Sequence, residues 1–178
     1  MRSRCRNALI AAFLLAICVF TTARARGPET YGIVNATVPE PGVLLAGQPT
    51  GEQVQLLAED GYKTILDLRM PEEPRGFDEV EAARQNGLAY VNVPVSPATL
   101  DQATLDRFLA AMKKAKKPVL LHCSTGSRAG ALWYAWLVLE KGRKPAAALA
   151  QARAAGLRSP ELAEKIEKLV AERKPAVR

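Results

Sequence analysis

The segment His122-Cys123-Ser124-Thr125-Gly126-Ser127-Arg128 sets a thiol, a glycine turn and a guanidinium within six residues. It lies between the apolar run Val119-Leu120-Leu121 and a second apolar run that opens at Ala129. A turn at the carboxyl end of a parallel strand is where open α/β sheets bind ligands. If that turn also opens a helix, free N–H groups and the positive end of the helix dipole favour an anion there. Helix N-termini and neighbouring cations also lower a thiol's pKa from its ordinary value of about 8.5. Gly126 lets the backbone turn tightly enough to aim amides inward. Arg128 supplies a planar fork suited to bidentate contact with an oxyanion. The chemistry expected of this segment is nucleophilic attack by the Cys123 sulfur on a group held in an anion cradle.

Export bears on the reading of that thiol. Arg2, Arg4 and Arg6 precede an uncharged apolar run over 8–20, followed by Thr21-Thr22-Ala23-Arg24-Ala25. Basic, apolar and small-residue regions in that order are those of a secretory signal peptide, with Ala23 and Ala25 at the cleavage positions. The expected division is a signal over 1–25, a lead-in over 26–41 and one catalytic domain over 42–175, with the mature protein periplasmic or secreted. The apolar run is short of the roughly 20 residues a membrane span needs, so no membrane association is expected after cleavage. Of the 25 basic residues, four lie in 1–25, which holds none of the 18 acids, so the formal charge falls from +7 to +3. Nothing in the remaining charge pattern calls for nucleic acid. The run Lys113-Lys114-Ala115-Lys116-Lys117 reads as the cationic last turn of a helix. Cys5 and Cys18 leave with the signal, so Cys123 is expected to be the only thiol of the mature chain, and an internal disulfide is then excluded.

The elements that must position the segment alternate β-type runs with helical patterns, the mark of a parallel sheet with crossover helices. Strands are expected at 43–46, 64–68, 90–95 and 119–122. Helices are expected at 51–60, 77–86, 101–115, 129–139, 145–155 and 160–173. Thr50 and Gln53 form a capping box before the first, and Leu105, Phe108, Leu109 and Met112 give the third a buried stripe. The helix after the cysteine is apolar nearly all round, and its Trp133 and Trp136 read as core. The predicted fold class is α/β, a three-layer domain with a mostly parallel sheet of four to five strands flanked by helices, ending in C-terminal helices. No metal-ligand cluster is evident, and neither metal nor cofactor is expected.

On these residues the chain resembles the cysteine-dependent protein phosphatases, whose signature is His-Cys, five residues, then Arg. More narrowly it is similar to the bacterial branch known as the β-lactamase-hydrolase-like phosphatase domain, over roughly 43–157. The stretches that carry the likeness are Gly47-Gln48-Pro49-Thr50, Thr64-Ile65-Leu66-Asp67-Leu68-Arg69, Val93-Pro94-Val95 and His122 through Trp133. The resemblance implies that Cys123 takes a phosphoryl group as a thiophosphate. It further implies that Ser124, Thr125, Gly126, Ser127 and Ala129 form the phosphate loop with Arg128 on the oxygens, and that His122 orients the loop. The substrate implied is a phosphorylated small molecule or peptide.

Three departures from that family pattern keep other readings open. Four residues, not five, separate Cys123 from Arg128, the loop length of rhodanese sulfurtransferases. Ser96-Pro97 stands where the family carries its general-acid Asp, leaving Asp101 as the candidate acid, with Asp67 and Glu72 as other carboxylates near the strand ends. Ala129 follows the loop arginine, where a hydroxyl residue usually helps expel the thiolate. A sulfurtransferase passing a persulfide on Cys123 between a sulfur donor and an acceptor is the runner-up. A non-catalytic anion-binding or redox module is third. Gln48, Arg69, Glu72, Arg75 and Pro97 are the candidates for lining the pocket.

Overall fold

The computed structural model describes residues 27–173; the leader over 1–25 lies outside them. A 3-10 turn at Pro28–Tyr31 leads into β1 (Thr37–Glu40), which runs antiparallel beside β2 (Val43–Ala46). Then follow α1 (Gly51–Glu59), β3 (Thr64–Asp67), α2 (Glu79–Gln85), β4 (Ala89–Asn92) and α3 (Gln102–Lys114). The chain closes with β5 (Val119–His122), α4 (Ser127–Leu139), α5 (Pro145–Ala154) and α6 (Pro160–Glu172). The sheet order is β1-β2-β5-β3-β4, with every pair but the first parallel.

Period-two alternation sorts the strand side chains into two cores. Val43, Leu45, Leu66, Val119 and Leu121 face one side, with Phe108, Met112, Leu132, Trp133, Ala148 and Ile166 from α3 to α6. Leu44, Ala46, Ile65 and Leu120 face the other, with Val54 and Leu57 of α1 and Ala83 of α2. β2 and β5 are buried at all four positions, as parallel strands covered on both faces must be. Trp133 is wholly buried and Trp136 nearly so, which makes both core residues rather than a ligand box. No described helix is long and apolar enough to cross a membrane.

The predicted order of elements is present, with differences at the edges. The stretch read as a lead-in carries β1, a strand that Pro39 and a register shift at Thr37/Glu40 hide from pattern reading. β4 stops at Asn92, three residues short of the predicted end, although Val93 and Val95 still donate N–H bonds to the Asp67 and Leu68 carbonyls. α4 begins at Ser127, so Arg128 stands in its first turn rather than before it. α3 starts at Gln102 and leaves Asp101 as its cap.

Two glycines let separate segments approach the cysteine loop. A Cβ on Gly47 would stand 2.9 Å from the Ser124 carbonyl oxygen, and one on Gly130 would stand 2.5 Å from the Leu157 nitrogen. Backbone cannot yield as a flexible side chain can. Gly130→Ala is therefore expected to destabilise the protein by about 1–3 kcal/mol, the usual range for overpacking. A lowered urea midpoint with an unchanged m-value would show it; an unchanged midpoint would mean that the 155–159 loop is not held against α4.

Candidate functional site

Register brings the carboxyl ends of the parallel strands into one row. Ala46 and Asp67 both stand opposite His122, and Asn92 stands opposite Asp67. The loop that leaves β5 is stitched to both neighbours: Cys123 N–H faces the Ala46 carbonyl at 3.4 Å, Gln48 N–H donates to the Ser124 carbonyl at 3.1 Å, and Leu68 N–H donates to the His122 carbonyl at 2.9 Å. Asn35, from the stretch before β1, donates to the Thr125 carbonyl at 2.9 Å. With its carbonyls committed outward, the loop holds a fixed curve over the start of α4.

The Cys123 thiol is almost fully buried at the base of that curve. Gly126, at φ +94°, turns its N–H onto the Cys123 sulfur at 3.1 Å. No side chain caps α4, so its first-turn N–H groups are left to an anion. The Arg128 guanidinium also lies beside the sulfur. Its Nη2 donates to Glu73 Oε2 at 2.7 Å and its Nη1 to Glu73 Oε1 at 2.5 Å and to the Val95 carbonyl at 2.9 Å. Burial works against the Arg128 charge, but the Glu73 carboxylate and the Cys123 sulfur outweigh it and hold the guanidinium protonated. Bonds from Arg128, opposed by partial burial, keep the Glu73 carboxyl below the usual range. The Gly126 amide and the Arg128 cation thus lie beside one buried sulfur.

His122 lies below the loop, fully buried, with Nδ1 3.4 Å from the Cys123 carbonyl oxygen. Its Nε2 stands 3.2 Å from Glu79 Oε1, and neither atom has another hydrogen-bond partner. Around this pair runs a buried ionic cluster. Arg69, with no exposed surface, donates to both Asp67 oxygens at 3.0 and 2.9 Å and also bonds Glu79. Tyr90 donates to Asp67 Oδ2 at 2.6 Å, and Arg75 pairs with the same oxygen. Burial alone would raise the Asp67 pKa, but the Arg69 bonds, the nearby His122 and Tyr90 drive it far below the usual carboxylate value. Ligand atoms of Asp67, Glu79 and His122 lie within 4.8 Å of one another. The guanidinium of Arg69, bonded to both carboxylates, already supplies the positive charge a metal would bring.

The sequence-predicted residues divide on these facts. Cys123, Gly126, Arg128 and His122 come together at the loop. Ser127 serves the scaffold: its Oγ accepts N–H bonds from Arg158 at 3.1 Å and Ser159 at 3.2 Å. Ser124 and Thr125 are exposed on the loop, and Ala129 is buried beneath it. Asp101 accepts the Thr104 N–H at 2.7 Å as the N-cap of α3. That bond holds its carboxyl below the usual range and therefore ionised. Arg69 is wholly buried, Gln48 bonds the Arg75 carbonyl, and the Pro97 carbonyl accepts from Lys165, so these pocket candidates act as scaffold. Glu72 is exposed, and its neighbour Glu73 is the carboxylate that reaches Arg128. Glu73 escaped the sequence reading because only the turn Met70–Glu73, in which Glu73 Oε1 accepts the Met70 N–H at 2.7 Å, aims it inward.

Comparison with known proteins bears on the family and the fold. The model of the family described as DSP-PTPase phosphatase fused to NAD+ kinase matches residues 35–169. A β-lactamase hydrolase-like protein of Xylella fastidiosa is 35% identical over 91 residues, which is 49% of this chain and 21% of that protein. The chain thus spans about a fifth of the length of that curated relative. A candidate phosphatase (DUF442) from Shewanella putrefaciens CN-32 is 26% identical with a TM-score of 0.69, covering 79% of this chain and 94% of that one. TpbA of P. aeruginosa, solved in complex with pTyr, shares the fold at 20% identity and a TM-score of 0.60, covering 84% and 88%.

The buried cluster sets an expected acid response. A carboxyl whose folded pKa is depressed stabilises the protein above its unfolded value near 4, and that contribution is lost as pH falls through the folded value. Urea midpoints of the wild type should fall steadily from about pH 5 to pH 2. In Asp67→Asn the slope should be shallower, with a lower midpoint at neutral pH. Parallel pH curves for the two proteins would remove Asp67 as a source of the dependence.

Proposed function

The chain belongs to the DSP-PTPase family whose members are described as fused to NAD+ kinase, and on that premise we propose that it is a cysteine-dependent phosphatase hydrolysing phosphate monoesters through a phosphocysteine. The observation that supports this most is the Gly126 N–H donated to the buried Cys123 sulfur, with the Arg128 guanidinium beside it at the start of α4. In the proposed reaction the sulfur attacks phosphorus in line and the bond to the leaving oxygen breaks. The inward amides and Arg128 hold the equatorial oxygens and meet the charge they gain. Water then attacks the thiophosphate, releasing inorganic phosphate and the thiolate. Glu73 acts through Arg128, holding its guanidinium in place with a two-pronged ion pair.

Because Asp101 is an ionised helix cap, the proton for the leaving group is not supplied from that position. Aryl phosphates are then the fitting substrates, as a phenol leaves with a pKa near 10 and needs less help than an alcohol. The spacing of four residues between Cys123 and Arg128 supports a second reading, a sulfurtransferase that carries a persulfide on Cys123. The 1–25 leader supports export to the periplasm or beyond, where the substrate would be a phosphorylated small molecule or peptide, or a sulfur donor and acceptor.

Two experiments test these proposals. Intact mass after incubation with p-nitrophenyl phosphate or with thiosulfate should show phosphate release and a Cys123-dependent phosphoryl adduct, absent in Cys123→Ser. Arg128→Ala should lose about 10²-fold or more in kcat, and Glu73→Ala should lose a comparable factor through misplacement of the fork. A sulfur-sized mass gain with no phosphate release would overturn the phosphatase reading in favour of sulfur transfer. For export, the N-terminal sequence of protein recovered from the periplasm or medium should begin near Arg26; a retained 1–25 segment would refute cleavage.

A further inference from the structure

Read along the chain, Lys113-Lys114-Ala115-Lys116-Lys117 is the basic end of one helix. The fold sets a second basic run, Lys141-Gly142-Arg143-Lys144, beside it. α3 ends just ahead of β5, and α4, which leaves the far end of β5, runs back to the same place. There Lys113 Nζ pairs with Glu140 Oε1 at 2.8 Å. The single Glu40 Oε1, at the end of β1, takes both Lys117 at 3.2 Å and Lys141 at 3.4 Å. One carboxylate oxygen thus holds an ammonium from each run, so the two runs form one face. α4 is 13 residues long, which sets this face about 20 Å from the cysteine loop at the helix's other end.

The face is far from neutral. Its seven cations contact two acids, Glu40 and Glu140, which leaves a net charge of +5. The whole chain after residue 25 sums to only +3, so the rest of it is net acidic at −2. Lys114, Lys116, Arg143 and Lys144 are exposed and, among the described residues, pair with no carboxylate. Like charges this close repel one another, and an anion laid in front of them removes that cost. The composition of the face says which anion. No Trp, Tyr or Phe lies within either run, so there is no platform on which a nucleobase could stack. Six of the seven cations are lysine, a residue depleted at protein–protein interfaces. An ammonium on a flexible stem meets an anion at no fixed angle. Phosphate headgroups dispersed over a plane ask for nothing more, and clusters of about four to eight basic residues suffice to hold them.

We propose that the face formed by the ends of α3 and α4 docks the protein on an anionic phospholipid bilayer, with the cysteine loop at the opposite end of α4 turned toward the water. The attachment is peripheral and electrostatic, as no described helix is long and apolar enough to cross a membrane. It is independent of the reaction carried out at Cys123.

The test is co-sedimentation of the purified protein with vesicles of phosphatidylcholine alone and of phosphatidylcholine mixed two to one with phosphatidylglycerol. The wild type should partition onto the anionic vesicles about tenfold or more above the neutral ones, and high salt should remove the excess. Lys114→Gln/Lys116→Gln and Arg143→Gln/Lys144→Gln should each weaken that partition by about tenfold or more. A double variant with the same change of charge elsewhere, Arg84→Gln/Lys168→Gln, should keep it. The two doubles lie in different segments, so a folding defect in one, read as a lowered urea midpoint, leaves the other as the test. Equal partition onto neutral and anionic vesicles overturns the proposal, as does an equal loss in the Arg84/Lys168 variant. A duplex DNA supplied at the same phosphate concentration is the competing polyanion. If it is bound more tightly than the anionic vesicles, and through the same four residues, the partner is nucleic acid and the bilayer proposal is overturned.

Discussion

A guanidinium with no exposed surface can stay charged only where carboxylates surround it, and Arg69 meets that condition by bonding Asp67 and Glu79. Those partners come from different elements: Asp67 ends β3, and Glu79 opens α2. The register of the parallel strands then sets His122 against Asp67, and the Glu79 carboxylate against its ring. The segment after β3, the first turn of α2 and the last residue of β5 are thereby tied to one buried charge. Removing any one of these groups would strand another without a partner in a dry interior. The loop bearing Cys123 grows directly from this cluster, so its position follows from the ionic geometry beneath it.

Above the cluster the same logic is repeated with more exposure. Glu73 holds Arg128 in a two-pronged grip close to the Cys123 sulfur. A planar cation already held loses little further freedom when an anion arrives, which is the electrostatic preorganisation that charge-developing reactions require. The glycines act on the backbone in parallel. Gly126 aims an amide at the sulfur, and Gly47 admits the Ser124 carbonyl at a distance no side chain would permit.

Much of this was legible in the sequence, because strand periodicity and the spacing of Cys123, Gly126 and Arg128 are local signals. The α/β class, the parallel strands and the cap at Thr50 follow from patterns of four to ten residues. What escaped reading depends on contacts between distant segments. Glu73 differs from its neighbour Glu72 only in which way a turn faces it. Arg69 and Arg75 resemble surface arginines in a loop until the strand register places Asp67 between them. Asp101 illustrates the converse: as a candidate acid it was judged by its distance along the chain from a strand, yet its carboxylate is held by the helix it begins. β1 went unread because four residues containing a proline carry almost no periodic signal.

That short strand bears on where the folding unit begins. β2 is apolar on both faces and would otherwise form an edge of the sheet, presenting unpaired N–H and C=O groups. β1 covers that edge, and Asn35 just before it fastens the cysteine loop at Thr125. A chain cut back to residue 42 would keep every parallel strand and the whole cysteine segment. It would also bare an open, hydrophobic strand edge, a template for pairing with other molecules. The stretch that looks like a leader to the domain is thus its guard against aggregation.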